Sequence, residues 1–155
     1  KRTYRLLKQE VPEEEYTLPL GRAKVHRRGQ DITVCSYGLM LQYVLEAAER
    51  LSGEHGVQTE VVEPLTLYPL DRETILESAR KTGKFLVVVE ANITGSVAAE
   101  IAATVAQEAF EWLDAPVMRL GTPDVPAAAF ARPLMDRLIP DRARVEEAML
   151  ELARY

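Results

Sequence analysis

Apolar and polar positions along this chain fall into blocks whose period switches between that of a strand and that of a helix. Residues 31–37 form a nearly continuous β-rich run, the pattern of a strand buried on both faces. In 39–51, Met40, Tyr43, Val44, Ala47 and Leu51 recur at helical spacing, with Glu46, Glu49 and Arg50 opposite, which predicts an amphipathic helix broken over 53–56. Residues 58–63 read as a second core strand ended by Pro64. A turn over 68–71 follows, with Asp71 placed to cap a helix over 72–81 that Gly83 ends. Residues 85–90 make a third core strand terminating in a carboxylate, Glu90. The next helix is alanine-rich, capped by Thr94 or Ser96, ends near Leu113, and turns Val97, Ile101, Val105 and Phe110 inward. Residues 116–120 are the last strand. A loop containing Pro123, Pro126 and Pro133 then leads to a terminal helix over 141–155, with Val145, Ala148, Met149 and Leu152 on one side.

A more modest strand over 22–27 precedes these elements and joins the next through a short turn, so it is expected at an antiparallel edge. Helical crossovers between the other strands force parallel pairing. The expected fold is a three-layer α/β/α domain: five strands, mostly parallel with the first antiparallel, and four principal helices. Residues 1–20 hold neither period. They pass from a basic opening, Lys1 to Arg5, to the acidic Val11-Pro12-Glu13-Glu14-Glu15, and are expected to be a linker or interdomain arm ahead of a domain over 21–155.

Composition narrows the classes without naming a chemistry. At 155 residues, 47% of them hydrophobic and 28% charged, the chain suits one domain burying about 70% of its unfolded surface. Nineteen basic against 24 acidic side chains give a net charge of −5, so no basic footprint invites nucleic acid. No apolar stretch reaches bilayer length and no signal peptide opens the chain, so a cytoplasmic location is expected. Cys35, the single cysteine, lies within an apolar run and is expected to be a buried thiol.

Neither a nucleophile elbow, a metal-ligand spacing nor a glycine-rich phosphate loop is found, and His26 and His55 are expected at the surface. Two carboxylates remain. Asp71 has a sufficient role as a helix cap. Glu90, at the carboxyl end of a buried strand, must find hydrogen-bond donors, either backbone N–H groups opening the next helix or those of a ligand or partner.

Several longer motifs occur here in one order: Tyr16-Thr17-Leu18-Pro19-Leu20-Gly21-Arg22-Ala23, Leu65-Thr66-Leu67-Tyr68-Pro69-Leu70-Asp71, Lys81-Thr82-Gly83, Glu90-Ala91, Leu113-Asp114-Ala115-Pro116 and Arg119-Leu120-Gly121-Thr122-Pro123-Asp124-Val125-Pro126. Together they closely resemble the carboxyl-terminal, transketolase-like domain of the beta chain of thiamine-diphosphate-dependent 2-oxoacid dehydrogenases. In that family Asp71, Glu90, Gly95, Pro123 and Asp124 correspond to structural signature positions. The resemblance implies that thiamine diphosphate and magnesium are held by other parts of the complete enzyme, so no catalytic, cofactor-binding or metal-binding residue is carried over to this chain. It also implies assembly: an alpha chain and a second beta chain in a heterotetramer, and the subunit-binding domain of an acyltransferase core. The stretch Arg144-Val145-Glu146-Glu147-Ala148-Met149 is closer to branched-chain members than to pyruvate members. Val89 and Gly95-Ser96 depart from residues common in relatives, which removes any polar role for the position before Glu90. The competing expectations are a pyruvate dehydrogenase beta chain, which the same resemblance allows, and a stand-alone domain binding a small ligand through Glu90 and Asp71.

Overall fold

The structure is a computed structural model of the 155-residue chain, in which residues 8, 10–125 and 131–155 are described. Lys1 to Arg5 and Pro126 lie outside the described residues. The strands are β1 (Ala23–Arg27), β2 (Ile32–Ser36), β3 (Thr59–Pro64), β4 (Phe85–Asn92) and β5 (Met118–Thr122). They form one sheet in the order β1-β3-β2-β4-β5. β1 runs antiparallel to β3, and every other pair is parallel. That matches the expected mixed sheet.

Among the described residues the helices are α1 (Leu39–His55), α2 (Arg72–Thr82), α3 (Val97–Glu108), α4 (Arg132–Leu138) and α5 (Arg142–Ala153), with a 3-10 turn at Phe110–Trp112. α1 and α5 cover one face of the sheet, and α2 and α3 the other. The period of two along the central strands divides the core between them. Ile32, Val34, Leu86 and Val88 point to α1 and α5, where Met40, Val44, Leu51, Val145, Met149 and Leu152 meet them. Cys35, Phe85, Val87 and Val89 point to α2 and α3, against Ile75, Ile101 and Val105. Burial pushes the Cys35 thiol up to about 12, so it stays protonated and inert.

Several elements differ from the expectation. α1 runs through Gly53 and stops at Gly56, which takes the left-handed conformation (φ 70°) and returns its N–H to the Leu51 carbonyl. The alanine-rich helix ends at Glu108, short of Leu113, and the 3-10 turn that follows leaves Phe110 74% exposed rather than inward. A fifth helix, α4, stands where a proline loop was expected. Pro133 falls in its first turn, where a missing N–H costs nothing, and α4 buries no residue, so it has no apolar stripe to announce it. His26 is half-buried, its Nε2 lying 2.7 Å from Glu63 Oε2.

Candidate functional site

The carboxyl ends of β2, β3, β4 and β5 share one edge of the sheet, where ligands of parallel α/β domains usually gather. Asp71 stands there as the cap of α2. Its carboxylate accepts the Thr74 N–H at 3.2 Å and the Thr74 hydroxyl at 2.8 Å, and reaches across to the Ala23 N–H at 2.8 Å. One side chain therefore closes the helix and fastens the first residue of the edge strand. Burial alone raises its pKa, but these donors and the nearby Arg22 outweigh it and hold the carboxyl below its ordinary value. Thr66 makes a second fastening: its hydroxyl donates to the Pro69 carbonyl at 2.7 Å and accepts the Gly21 N–H at 2.9 Å. Between these anchors lies a cis peptide at Tyr68–Pro69.

Glu90 sits differently from the expectation. Between the pairs Val88↔Leu120 and Asn92↔Thr122, β4 advances four residues while β5 advances two. The resulting bulge carries Glu90 out of the buried register, and its side chain is exposed. The Glu90 carbonyl accepts the Thr122 hydroxyl at 2.7 Å, which ties the bulge to β5. β5 passes so close that a Cβ on Gly121 would stand 2.8 Å from the Ala91 carbonyl.

The turn after β4 is stitched to the same strand. The Ile93 N–H donates to the Thr122 carbonyl at 2.9 Å, and the Arg119 guanidinium donates to the Ile93 carbonyl at 3.2 Å. Asp124 accepts both the N–H and the hydroxyl of Thr94. Thr94 is thus spent on Asp124 rather than on capping α3. Ser96 holds the N-cap position, its carbonyl accepting the Ala99 N–H, but its hydroxyl makes no cap bond. Gly95 takes φ +67° with open space beside it, the left-handed turn that reverses the chain into α3. Pro123 is exposed between Thr122 and Asp124.

The two expected carboxylates do not converge. Glu90 lines a cavity of about 180 Å³ with Asn92, Thr122, Met135, Leu138 and Ile139, and Asp71 contributes nothing to it. Asp71 already has its oxygens committed to Ala23 and Thr74 and is buried. The cavity pairs one carboxylate with an amide, a hydroxyl and apolar side chains, a set that can bind but offers no nucleophile–base pair. Among the described residues no three His, Cys, Asp or Glu side chains stand together in a group that could hold a metal ion.

One buried charge escaped the sequence reading. Glu60, the second residue of β3, is only 2% exposed; its carboxylate pairs with Lys81 at the end of α2 and accepts the Gly29 N–H. Burial raises its pKa, but Lys81, Ser78 and Gly29 together bring it below the ordinary carboxylate value. The signal was a lone acid among Thr59, Val61 and Val62, a charge that burial obliges to find a partner.

Comparison with known proteins agrees with this geometry. Residues 21–145 match the family described as Transketolase, C-terminal domain. The chain belongs to that family. A solved structure described as a split-gene transketolase, an inactive beta4 tetramer, superimposes on this transketolase C-terminal domain with a TM-score of 0.73 and 28% identity, covering 94% of this chain and 46% of that one. The 2-oxoisovalerate dehydrogenase subunit beta of Bacillus subtilis (strain 168) is 46% identical over 155 residues, which is 100% of this chain and 47% of the relative. The pyruvate dehydrogenase E1 component subunit beta of the same organism is 45% identical over 121 residues, 78% of this chain and 37% of the relative. Its acetoin:2,6-dichlorophenolindophenol oxidoreductase subunit beta is 41% identical over 146 residues, 94% and 42% respectively. The chain spans about half the length, or less, of these curated relatives.

Proposed function

We propose that this transketolase C-terminal domain is the carboxyl-terminal part of a beta subunit of a branched-chain 2-oxoacid dehydrogenase, and that its work there is assembly. The complete enzyme would decarboxylate a branched-chain 2-oxo acid oxidatively and pass the acyl group to lipoyl groups. Thiamine diphosphate and magnesium supply the decarboxylation chemistry from other parts of that enzyme. The observation that carries the substrate class is the likeness to the 2-oxoisovalerate subunit along the whole chain, against the shorter match to the pyruvate subunit.

Assembly is supported by the outer face of α3. Ala99, Ala103 and Ala106 recur there at helical spacing and Phe110 follows in the 3-10 turn, with Ala103, Ala106 and Phe110 exposed. Beside them a shallow cavity of about 400 Å³ is lined by Ala106, Phe110, Leu113, Pro116 and Val117. Small residues flanking a large exposed aromatic suit close approach of another chain. An alpha chain and a second beta chain are the proposed partners in a heterotetramer, with the subunit-binding domain of an acyltransferase core docking on the assembled enzyme. No described helix is long and apolar enough to cross a membrane, and we place this assembly in the cytoplasm.

The test is a competition assay of the full beta subunit carrying this domain, reconstituted with its alpha chain, thiamine diphosphate and magnesium. Turnover with 2-oxoisovalerate should exceed that with pyruvate by at least about tenfold in kcat/KM, a discrimination of one or two methyl groups in an apolar pocket. A preference for pyruvate would overturn the branched-chain assignment in favour of a pyruvate dehydrogenase beta subunit.

A further inference from the structure

Helix α4 stands over the carboxyl edge of the sheet without being fastened to it. None of its seven residues is buried. The Leu134 and Met135 N–H groups donate to the Ala131 carbonyl, and the Ile139 N–H to the Met135 carbonyl, all within the helix and its flanks. The pair of Arg132 with Asp136, at 3.8 Å, lies within the helix too. Among the described residues no hydrogen bond or ion pair joins α4 to a strand or to another helix. Its neighbour α5 is held quite differently: it pairs Arg142 with Glu46 and Glu146 with Arg50 of α1, and it buries Val145, Met149 and Leu152.

Two cavities undercut α4. On the strand side a space of about 180 Å³ separates Met135 and Leu138 from Glu90, Asn92 and Thr122. Toward α1 a space of about 390 Å³ separates Arg132 and Asp136 from Leu39 and Tyr43. Ile139 lines both and packs against the core under α1 and α5, so the helix rests on the body at its carboxyl end. Pro140 behind it is buried, and Asp141 is fixed as the cap of α5, accepting the Arg144 N–H at 2.9 Å. Since proline holds its own φ, the free torsion of this joint is the ψ of Ile139, now extended at 133°.

We propose that α4 is a hinged lid, pivoting at Ile139 and Pro140, that closes on the cavity at the carboxyl edge of the sheet. Its two undercut sides set the direction. Closure on the strand side takes the part-exposed Met135 and Leu138 out of water, a favourable burial. Settling toward α1 would instead strip water from Arg132 and Asp136. The floor opposes closure, because Glu90 and Asn92 are exposed polar groups whose water an apolar roof displaces. Opposed contributions of this kind give an element two populated positions, exchanging in microseconds to milliseconds.

The four methionines test this as built-in probes: Met40 and Met149 in the core, Met118 on β5 and Met135 on α4. The measurement is NMR relaxation dispersion of the 155-residue chain, labelled at its methionine methyl groups and backbone amides. Met135 should exchange with the same rate constant as the amides of Asn92 and Thr122 across the cavity, with flat profiles at Met40 and Met149. Leu138→Glu, which puts a charge on the closing side of a part-exposed position, should abolish that exchange and leave Tm within about 2 °C. A flat profile at Met135 in the unaltered chain would overturn the proposal. Exchange confined to α4 with Asn92 and Thr122 flat would also overturn it, as a fraying helix that closes on nothing. Exchange shared by Met149, or surviving Leu138→Glu unchanged, would overturn it as well.

Discussion

At the scale of single residues, stability turns on two buried carboxylates that hold elements together. Asp71 joins α2 to the start of β1 through the Thr74 and Ala23 N–H groups. Asp71→Ala removes a helix cap and strands a strand-end donor, a loss of about 2–3 kcal/mol that lowers Tm by roughly 4–10 °C in a domain of this size. Asp71→Asn keeps an acceptor and should lose less. The Glu60–Lys81 pair is asymmetric because Glu60 is sealed and Lys81 is about a third exposed. Lys81→Met leaves a buried unpaired carboxylate and should cost about 3 kcal/mol; Glu60→Gln frees a lysine that can turn to water and should cost less. Thermal melts of the variants check both orders. The pH dependence follows from the same groups. Asp71 and Glu60 have folded pKa values held below their unfolded ones. Each therefore stabilises the fold above the unfolded carboxylate value, near pH 4, and loses that contribution as pH falls through its lowered folded value. Urea midpoints should be flat from pH 7 to about 5 and fall below about 4, with a shallower fall in Asp71→Asn.

At the scale of elements, backbone approach decides what a side chain is able to do. Gly29 packs where a Cβ would stand 2.2 Å from the Thr59 carbonyl carbon and 2.3 Å from the Glu60 N, with no flexible side chain to give way. Gly29→Ala should therefore push β3 from its place and lower Tm by well over 5 °C, which calorimetry reads directly. The strand and helix assignments were legible because buried strands and amphipathic helices leave strong periods, as 31–37 and 39–51 do. Asp71 was legible too, since a cap precedes its helix in sequence. The fate of Glu90 was not, because the bulge that exposes it depends on how β5 pairs with β4, a contact 32 residues away. Helix α4 carries no buried stripe, so periodicity had nothing to register. Phe110 followed the apolar stripe of α3 in sequence, but the change to a 3-10 turn rotates it outward. Glu60 and Lys81 lie 21 residues apart, and only the packing of α2 on the sheet makes them a pair.

At the scale of the whole molecule, the hydrogen-bonded sheet edge and the exposed apolar face differ in how far their groups are already committed. Asp71 and Thr66 fasten the start of β1, and Thr122 and Asp124 fasten the end of β4 and its turn to β5, while the outer face of α3 and the 3-10 turn after it leave Ala103, Ala106 and Phe110 exposed. Ala103→Glu on that exposed face should leave the Tm of the chain within about 2 °C, yet weaken assembly of the full subunit, seen as smaller species in analytical ultracentrifugation. The central claim is that this domain builds the enzyme without holding its cofactor. Calorimetric titration of the 155-residue chain with thiamine diphosphate and magnesium tests it most directly. The account predicts dilution heats only; a saturable isotherm that Glu90→Gln abolishes would contradict it.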